Sequence, residues 1–232
     1  MSFNGFTEKT LEYFLSICLD NSKSNFEANR QVYNKHVREP LRALQEALVP
    51  VILEIDKNIC VKPSRCVSGA YNDARFSRSE PIKTYMYLHF CAETGRENDI
   101  PGFFMDASYN GYRYGLHIYH RTAQGMVKLR DAVLSSEKRF TVIARDIEKQ
   151  GEFTLEGDSY KKDHYPQASP LLKNWLNRKS WWVGRTATSR ASSSTRARPS
   201  MTRSLNYPPM PASPRRAHAS GLIWAMSGNL RR

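Results

Sequence analysis

The sequence predicts an α+β domain: an antiparallel sheet of about four to six strands packed against helices, with the N-terminal helices first. Three observations lead there. Residues 7–55 repeat apolar side chains at helical spacing, residues 84–119 alternate at strand spacing around a turn signal, and helical spacing returns after residue 123.

Thr7 is placed to cap the first helix, with Leu11, Phe14, Leu15 and Cys18 at i, i+3, i+4 and i+7 as its apolar face. Asn21-Ser22-Lys23-Ser24 is the polar break after it. A second helix is expected from about Phe26 to His36, with Phe26, Tyr33 and Val37 on one face. Pro40 ends it and suits the first turn of a third helix, in which Leu41, Leu44, Leu48, Val51, Ile52 and Ile55 recur. Pro50 interrupts that pattern, and a kink or break is expected there.

Arg65 to Asn72 and Thr84 to Ala92 read as strands, joined by a charged loop from Asp73 to Ile82. Gly102 to Ala107 and Tyr112 to Tyr119 are two more, with Tyr109-Asn110-Gly111 as the hairpin turn. Helices are expected over Gln124–Leu134 and Lys138–Glu148, strand or loop over Glu152–Lys162, and a last amphipathic turn or two over Leu171–Leu176. After Trp182 the periodicity dissolves into Ser, Arg, Ala, Pro and Thr, so one globular domain is expected over 1–182 and a low-complexity tail over 183–232. That tail reads either as a disordered basic segment or as coding sequence translated out of frame.

Charge follows the same division. The chain carries 35 basic and 22 acidic residues, a net of +13. Nine of the basic residues, all arginine, lie in 183–232, which has no acid, so residues 1–182 hold 26 basic residues against 22 acidic ones. A strongly basic chain invites a nucleic-acid reading, but little of the excess belongs to the domain. No apolar run has membrane-spanning length, and the N-terminus shows no secretory signal, so a cytoplasmic protein without membrane contact is expected. The four cysteines form no CxxC pair, and reduced core thiols are the expectation, with Cys18 on the apolar face of the first helix.

Four groupings bear on function. The first is the loop with Tyr71, Asp73, Arg75, Arg78, Lys83 and Thr84, with Arg65 on the strand before it. Arginine gives planar bidentate contacts, lysine a mobile point charge, and Tyr71 and Thr84 hydroxyl donors, a set suited to a phosphate or carboxylate ligand. Asp73 would orient Arg75 or act as a base. Equally, Asp73 or Glu80 pairs with Arg75 and the loop is simply pinned. The second is His89, Cys91, His117 and His120, acceptable zinc-ligand types. Residues i and i+3 of a strand face opposite ways, so His117 and His120 fit one metal only if the strand ends between them, and no metal is expected. The third is nucleophilic catalysis: no GxSxG motif or phosphate loop is present, and Cys91 beside His89 is a poor candidate. The fourth is a tyrosine-rich surface from Tyr85, Tyr87, Phe90, Tyr109, Tyr112 and Tyr114, flanked by Arg65, Arg75 and Arg113, suited to single-stranded nucleic acid or to a protein partner.

Tyr71-Asn72-Asp73-Ala74-Arg75-Phe76-Ser77 followed by Pro81-Ile82-Lys83-Thr84 resembles the signature of the DUF2461 family. Further stretches agree in order: Phe3-Asn4-Gly5-Phe6-Thr7, Asn25 to Arg30, Glu39-Pro40-Leu41, Leu129 to Ala132, Leu155-Glu156-Gly157 and Lys179-Ser180-Trp181-Trp182. The resemblance covers about residues 3–182. It departs at Asn25, where the family has Trp; at Asp106, where it has His; at the Gly-rich stretch replaced by Tyr114-Gly115-Leu116-His117; and after Trp182, where family members continue into a helix. The resemblance implies the fold but no activity or cofactor. The leading expectation is therefore binding of an anionic small molecule through Tyr71, Asp73, Arg75, Lys83 and Thr84, with an interaction module on the tyrosine-rich face as the alternative.

Overall fold

The computed structural model describes residues 3–75, 77, 79–92, 101–118 and 123–188. Helix α1 (Glu8–Leu19) opens it. Its buried residues are Thr10, Tyr13, Phe14 and Ile17; of the expected stripe of Leu11, Phe14, Leu15 and Cys18 only Phe14 is buried, and Cys18 is exposed. Apolar residues occupy more than one side of this helix, so periodicity alone does not choose between faces. The choice is made by the Tyr13 ring against Tyr33, 5.5 Å between centroids, and by the Thr10 hydroxyl donating 2.6 Å to the His36 carbonyl.

The expected second helix is three pieces: α2 (Lys23–Ala28), α3 (Arg30–Tyr33) and a π-helical turn Asn34–Arg38. Ser22 caps α2, accepting from the Asn25 N–H at 3.1 Å. Phe26, Tyr33 and Val37 are buried as expected. The π turn runs directly into α4 (Glu39–Ile55), whose first turn holds Pro40. Helix α4 continues through Pro50 without the break that the proline suggested. Pro50 is exposed, so its ring costs a helical hydrogen bond without displacing core side chains.

The segment Arg65–Asn72 is not a strand. A short helix α5 (Pro63–Cys66) begins it, and thereafter only single residues bridge: Val67 to Leu88 and Tyr71 to Ile82. Strand β1 (Tyr85–Phe90) pairs with β2 (Pro101–Ser108), and β2 with β3 (Gly111–Ile118). Tyr109-Asn110 makes the β2–β3 turn, and Gly111 supplies a positive φ of 143° there. Helices α6 (Ala123–Ser135) and α7 (Glu137–Gln150) follow, with Gly151 left-handed after α7. The last elements are β4 (Thr154–Glu156), α8 (Pro170–Leu176) and β5 (Trp182–Thr188).

The five strands form one antiparallel sheet in the order β1-β2-β3-β5-β4. The expected end of the domain at Trp182 falls too early. Residues after it form β5, which lies between β3 and β4, and Val183 is buried. Helices cover one sheet face. The N-terminal helices pack on Met86, Leu88, Phe90, Met105, Ala107 and Tyr112. Helices α6 to α8 pack on Leu116 and Val183 around Trp175 and Trp181, and Phe103 joins both clusters. Arg130, buried on α6, donates to the carbonyls of Leu176 (2.9 Å) and Arg178 (2.7 Å), tying α8 to the helical layer.

Candidate functional site

The loop 71–84 is held by its own backbone. The Asn72 N–H donates to the Pro81 carbonyl at 2.9 Å and the Lys83 N–H to the Ala70 carbonyl at 2.7 Å. Asn21, which the sequence offered only as part of a polar break, mimics a strand partner. Its side chain accepts from the Ile82 N–H and donates to the Ile82 carbonyl, both at 2.9 Å. An asparagine amide can do this because it carries a donor and an acceptor side by side.

Within that frame the expected ligand-binding residues are largely committed to each other. Arg75 donates to both carboxylate oxygens of Asp73, at 3.0 and 2.5 Å, while its own side chain is 79% exposed. This is the pinned-loop arrangement. Arg75's hydrogen bonds hold the Asp73 carboxyl down at about 2, so Asp73 is ionised at neutral pH and too weak a base to take a proton readily. Lys83 Nζ donates to the Tyr71 carbonyl, and burial pushes its pKa down. Tyr71 leans on Phe26, 5.2 Å between ring centroids, and its hydroxyl donates 3.4 Å to Glu27, which pairs with Arg30. Arg65 is exposed on α5, and Arg78 lies outside the described residues. Of the five expected ligand-binding residues, Thr84 alone lines a cavity described here.

That cavity, of about 470 Å³, lies at the end of the sheet near the β2–β3 turn. Its walls include Thr84, Tyr85, Asp106, Tyr109, Arg113 and Thr186. Register explains the grouping. Tyr85 stands opposite Ser108, Asp106 opposite Arg113, and Arg113 opposite Thr186, so these side chains share the sheet face that neither apolar cluster uses. Arg113 grips Asp106 with two hydrogen bonds, Nε to Oδ1 at 3.0 Å and Nη2 to Oδ2 at 2.7 Å. The Arg113 guanidinium also lies 5.7 Å from the centre of the Trp182 ring.

The same face continues as an aromatic floor. Tyr85 and Tyr87 rings are 6.2 Å apart, Phe104 and Trp182 5.9 Å, Phe104 and His117 5.0 Å, and His89 and His117 4.9 Å. Glycines make room for it. A Cβ at Gly184 would run into the Trp182 ring, 2.7 Å from its Cε3 and closer still to Cζ3, and one at Gly102 would lie 2.7 Å from His89 Nε2. Burial, and then the neighbouring His89, push His117 down to about 4, so it is neutral at pH 7. The expected tyrosine-rich face is divided by the strand alternation. Tyr85 and Tyr87 are on this open side, whereas Phe90 and Tyr112 are buried beneath the helices and Tyr114 packs on that side too.

Thr186, Trp182 and Phe104 are site residues that sequence reasoning missed. The Asp106–Arg113 pair escaped it as well: the turn signal over Tyr109-Asn110-Gly111 leaves the register open by one residue, and only the observed two-residue turn at Tyr109-Asn110 sets these two opposite each other. Among the described residues no group of three His, Cys, Asp or Glu is arranged to hold a metal; His120 lies outside them. All four cysteines are free thiols, Cys60 and Cys66 buried, and burial pushes Cys66 up to about 12, so it is not a nucleophile. Burial raises Cys91 as well. No helix of the described residues is long and apolar enough to cross a membrane.

No curated protein matches the chain. A family model described as "Conserved hypothetical protein (DUF2461)" matches residues 9–206, reaching past the Trp182 limit drawn from the sequence motifs and taking in all of β5. With most of its length matched, the chain belongs to the DUF2461 family.

Proposed function

We propose that this protein binds a small molecule in the cavity bounded by Thr84, Tyr85, Asp106, Arg113 and Thr186. The observation that carries this reading is the cavity itself. At about 470 Å³ it has the size of a small-molecule site, and it gathers polar side chains from four strands and from the residue that ends the 71–84 loop. On this reading Arg75, Asp73, Tyr71 and Lys83 brace the loop, and Thr84 is its contribution to the ligand. The anion-binding role first assigned to Arg75 and Lys83 moves to the background, because both cations already satisfy groups of the chain itself.

The test is a thermal-shift screen of the whole chain against sugars, nucleotides, carboxylates and phosphates, with Thr186→Phe and Arg75→Ala alongside. Thr186 is exposed on β5, so a ring there fills the cavity without entering the core. A ligand that binds the native state raises the melting temperature. The expected result is a compound that stabilises the parent chain and Arg75→Ala but not Thr186→Phe. A compound that stabilises all three equally, or none that stabilises the parent, removes the reading.

A second reading keeps the interaction module. It is favoured by the row of Tyr85, Tyr87, Phe104 and Trp182 on the sheet face that neither apolar cluster uses. Single-stranded oligonucleotide binding that weakens steeply with salt would favour it over the first.

A further inference from the structure

We infer that the ligand of this cavity is an uncharged sugar ring. The inference rests on the reading of the cavity as a small-molecule site and adds the chemical class. Charge is the first consideration. Of the residues lining the cavity, Asp106 and Arg113 are the charged ones, and they neutralise each other through two hydrogen bonds. A free phosphate or carboxylate finds no net positive charge there, and entering beside Asp106 it meets a carboxylate of its own sign. An ammonium meets Arg113 in the same way.

Hydrogen-bonding capacity is the second consideration. Apart from that pair, the polar lining is hydroxyl and amide: Thr84, Ser108, Thr186 and Asn110, with the phenols of Tyr85 and Tyr109. These groups donate and accept, as sugar hydroxyls do. The Asp106–Arg113 pair has the same double character. Two of the five guanidinium N–H groups are used on Asp106, and a carboxylate has more lone pairs than two hydrogen bonds consume. The pair thus offers an acceptor and a donor side by side, as two hydroxyls of one ring require. Such a site discriminates well, because an analogue lacking a hydroxyl leaves a polar group of the site unpaired.

Shape is the third consideration. A pyranose ring presents one face of C–H bonds that prefers an apolar flat surface to water. Tyr85, 43% exposed at the cavity wall and backed by Tyr87 at 6.2 Å, supplies one.

Saturation-transfer NMR on the full chain tests this, using glucose, galactose, N-acetylglucosamine, maltose and cellobiose. Glucose 6-phosphate, AMP and citrate form the charged arm. The expected result is transfer to one or more neutral sugars, strongest at the C–H protons of one ring face. It should be lost in Thr186→Phe and weakened about tenfold, close to 1.4 kcal/mol, in Tyr85→Ala, both variants still melting cooperatively. Transfer that persists in Thr186→Phe overturns the inference. So does a charged compound that binds when no neutral sugar does, or a sugar phosphate that binds more than about tenfold tighter than its parent. In those charged-ligand outcomes the cavity remains a ligand site if Thr186→Phe abolishes binding. No transfer to any compound in either arm removes both the sugar assignment and the cavity reading beneath it.

Discussion

His117 carries a consequence at the scale of one residue. Its imidazole is held neutral by burial and by His89, with its pKa lowered from 6.5 to about 4. As pH falls below about 6.5 the unfolded chain takes up a proton that the folded chain refuses, so unfolding gains proton binding and stability is lost. The loss accumulates between about pH 6.5 and pH 4 and levels off below, amounting to on the order of 3 kcal/mol. Asp73, held by Arg75, and Asp163, which accepts from the Asn177 amide and the Tyr165 N–H and pairs with Lys173, are both kept at about 2, so the stability they contribute is still present in that window and is lost only at lower pH. Urea midpoints at pH 7 and pH 4.5 check this: the parent chain should lose stability between them, and His117→Gln should lose clearly less. Neighbouring glycines show the same economy of space. Gly115 has no room for a side chain, since a Cβ there would meet Gly184 Cα at 2.6 Å. The departure from a Gly-rich stretch at Tyr114-Gly115-Leu116-His117 thus keeps a glycine at a point where the β5 backbone leaves no room for a Cβ on β3.

At the scale of elements, helix α4 carries a local penalty that the fold tolerates. Pro50 has no N–H to give the carbonyl of Glu46, and proline disfavours a helix interior. Pro50→Ala should therefore stabilise the chain by about 1–3 kcal/mol, seen as a higher urea midpoint with an unchanged slope. An unchanged or lower midpoint would show that α4 depends on the proline's shape. The sequence reading of α4 named Leu41, Leu44 and Ile52 correctly as core and erred on continuity, because a proline's effect depends on what neighbouring packing holds in place. For α1 the reading erred on the face. The helix offers two overlapping apolar stripes, and the residues that select one, Tyr33 and His36, arrive from another part of the chain.

The scale of the whole molecule is where β5 matters. It hydrogen-bonds to β3 on one side and β4 on the other, places Val183 in the core, and brings Trp182 and Thr186 to the open face. A chain ending at Trp182 loses the strand between β3 and β4, and it should show no cooperative thermal unfolding by circular dichroism. A cooperative melt of that shortened chain, close to that of the full one, would mean that β5 is dispensable. The strand escaped the sequence reading for a physical reason. Gly184 is disfavoured in strands, Gly184-Arg185-Thr186 shows none of the apolar alternation that marks a half-buried strand, and the composition runs on into the Arg- and Ser-rich stretch that follows.

Local chemistry was legible without coordinates. Helical and strand periods, the Tyr109-Asn110-Gly111 turn signal and the prolines specify α+β with an antiparallel hairpin, whereas the register that sets Asp106 across from Arg113 belongs to the folded hairpin. The periods and the turn signal are encoded in neighbouring residues and need no long-range contact to be read. Two matters were decided only by the tertiary structure. Period 2 says that two faces exist but not which one the helices cover, and both faces of this sheet carry aromatic residues. The pairing of β3 with β5 joins residues about seventy positions apart, and nothing local to either strand announces the other. The cavity needs both, since it forms on the face that neither apolar cluster uses and only once Thr186 has come to stand beside Arg113.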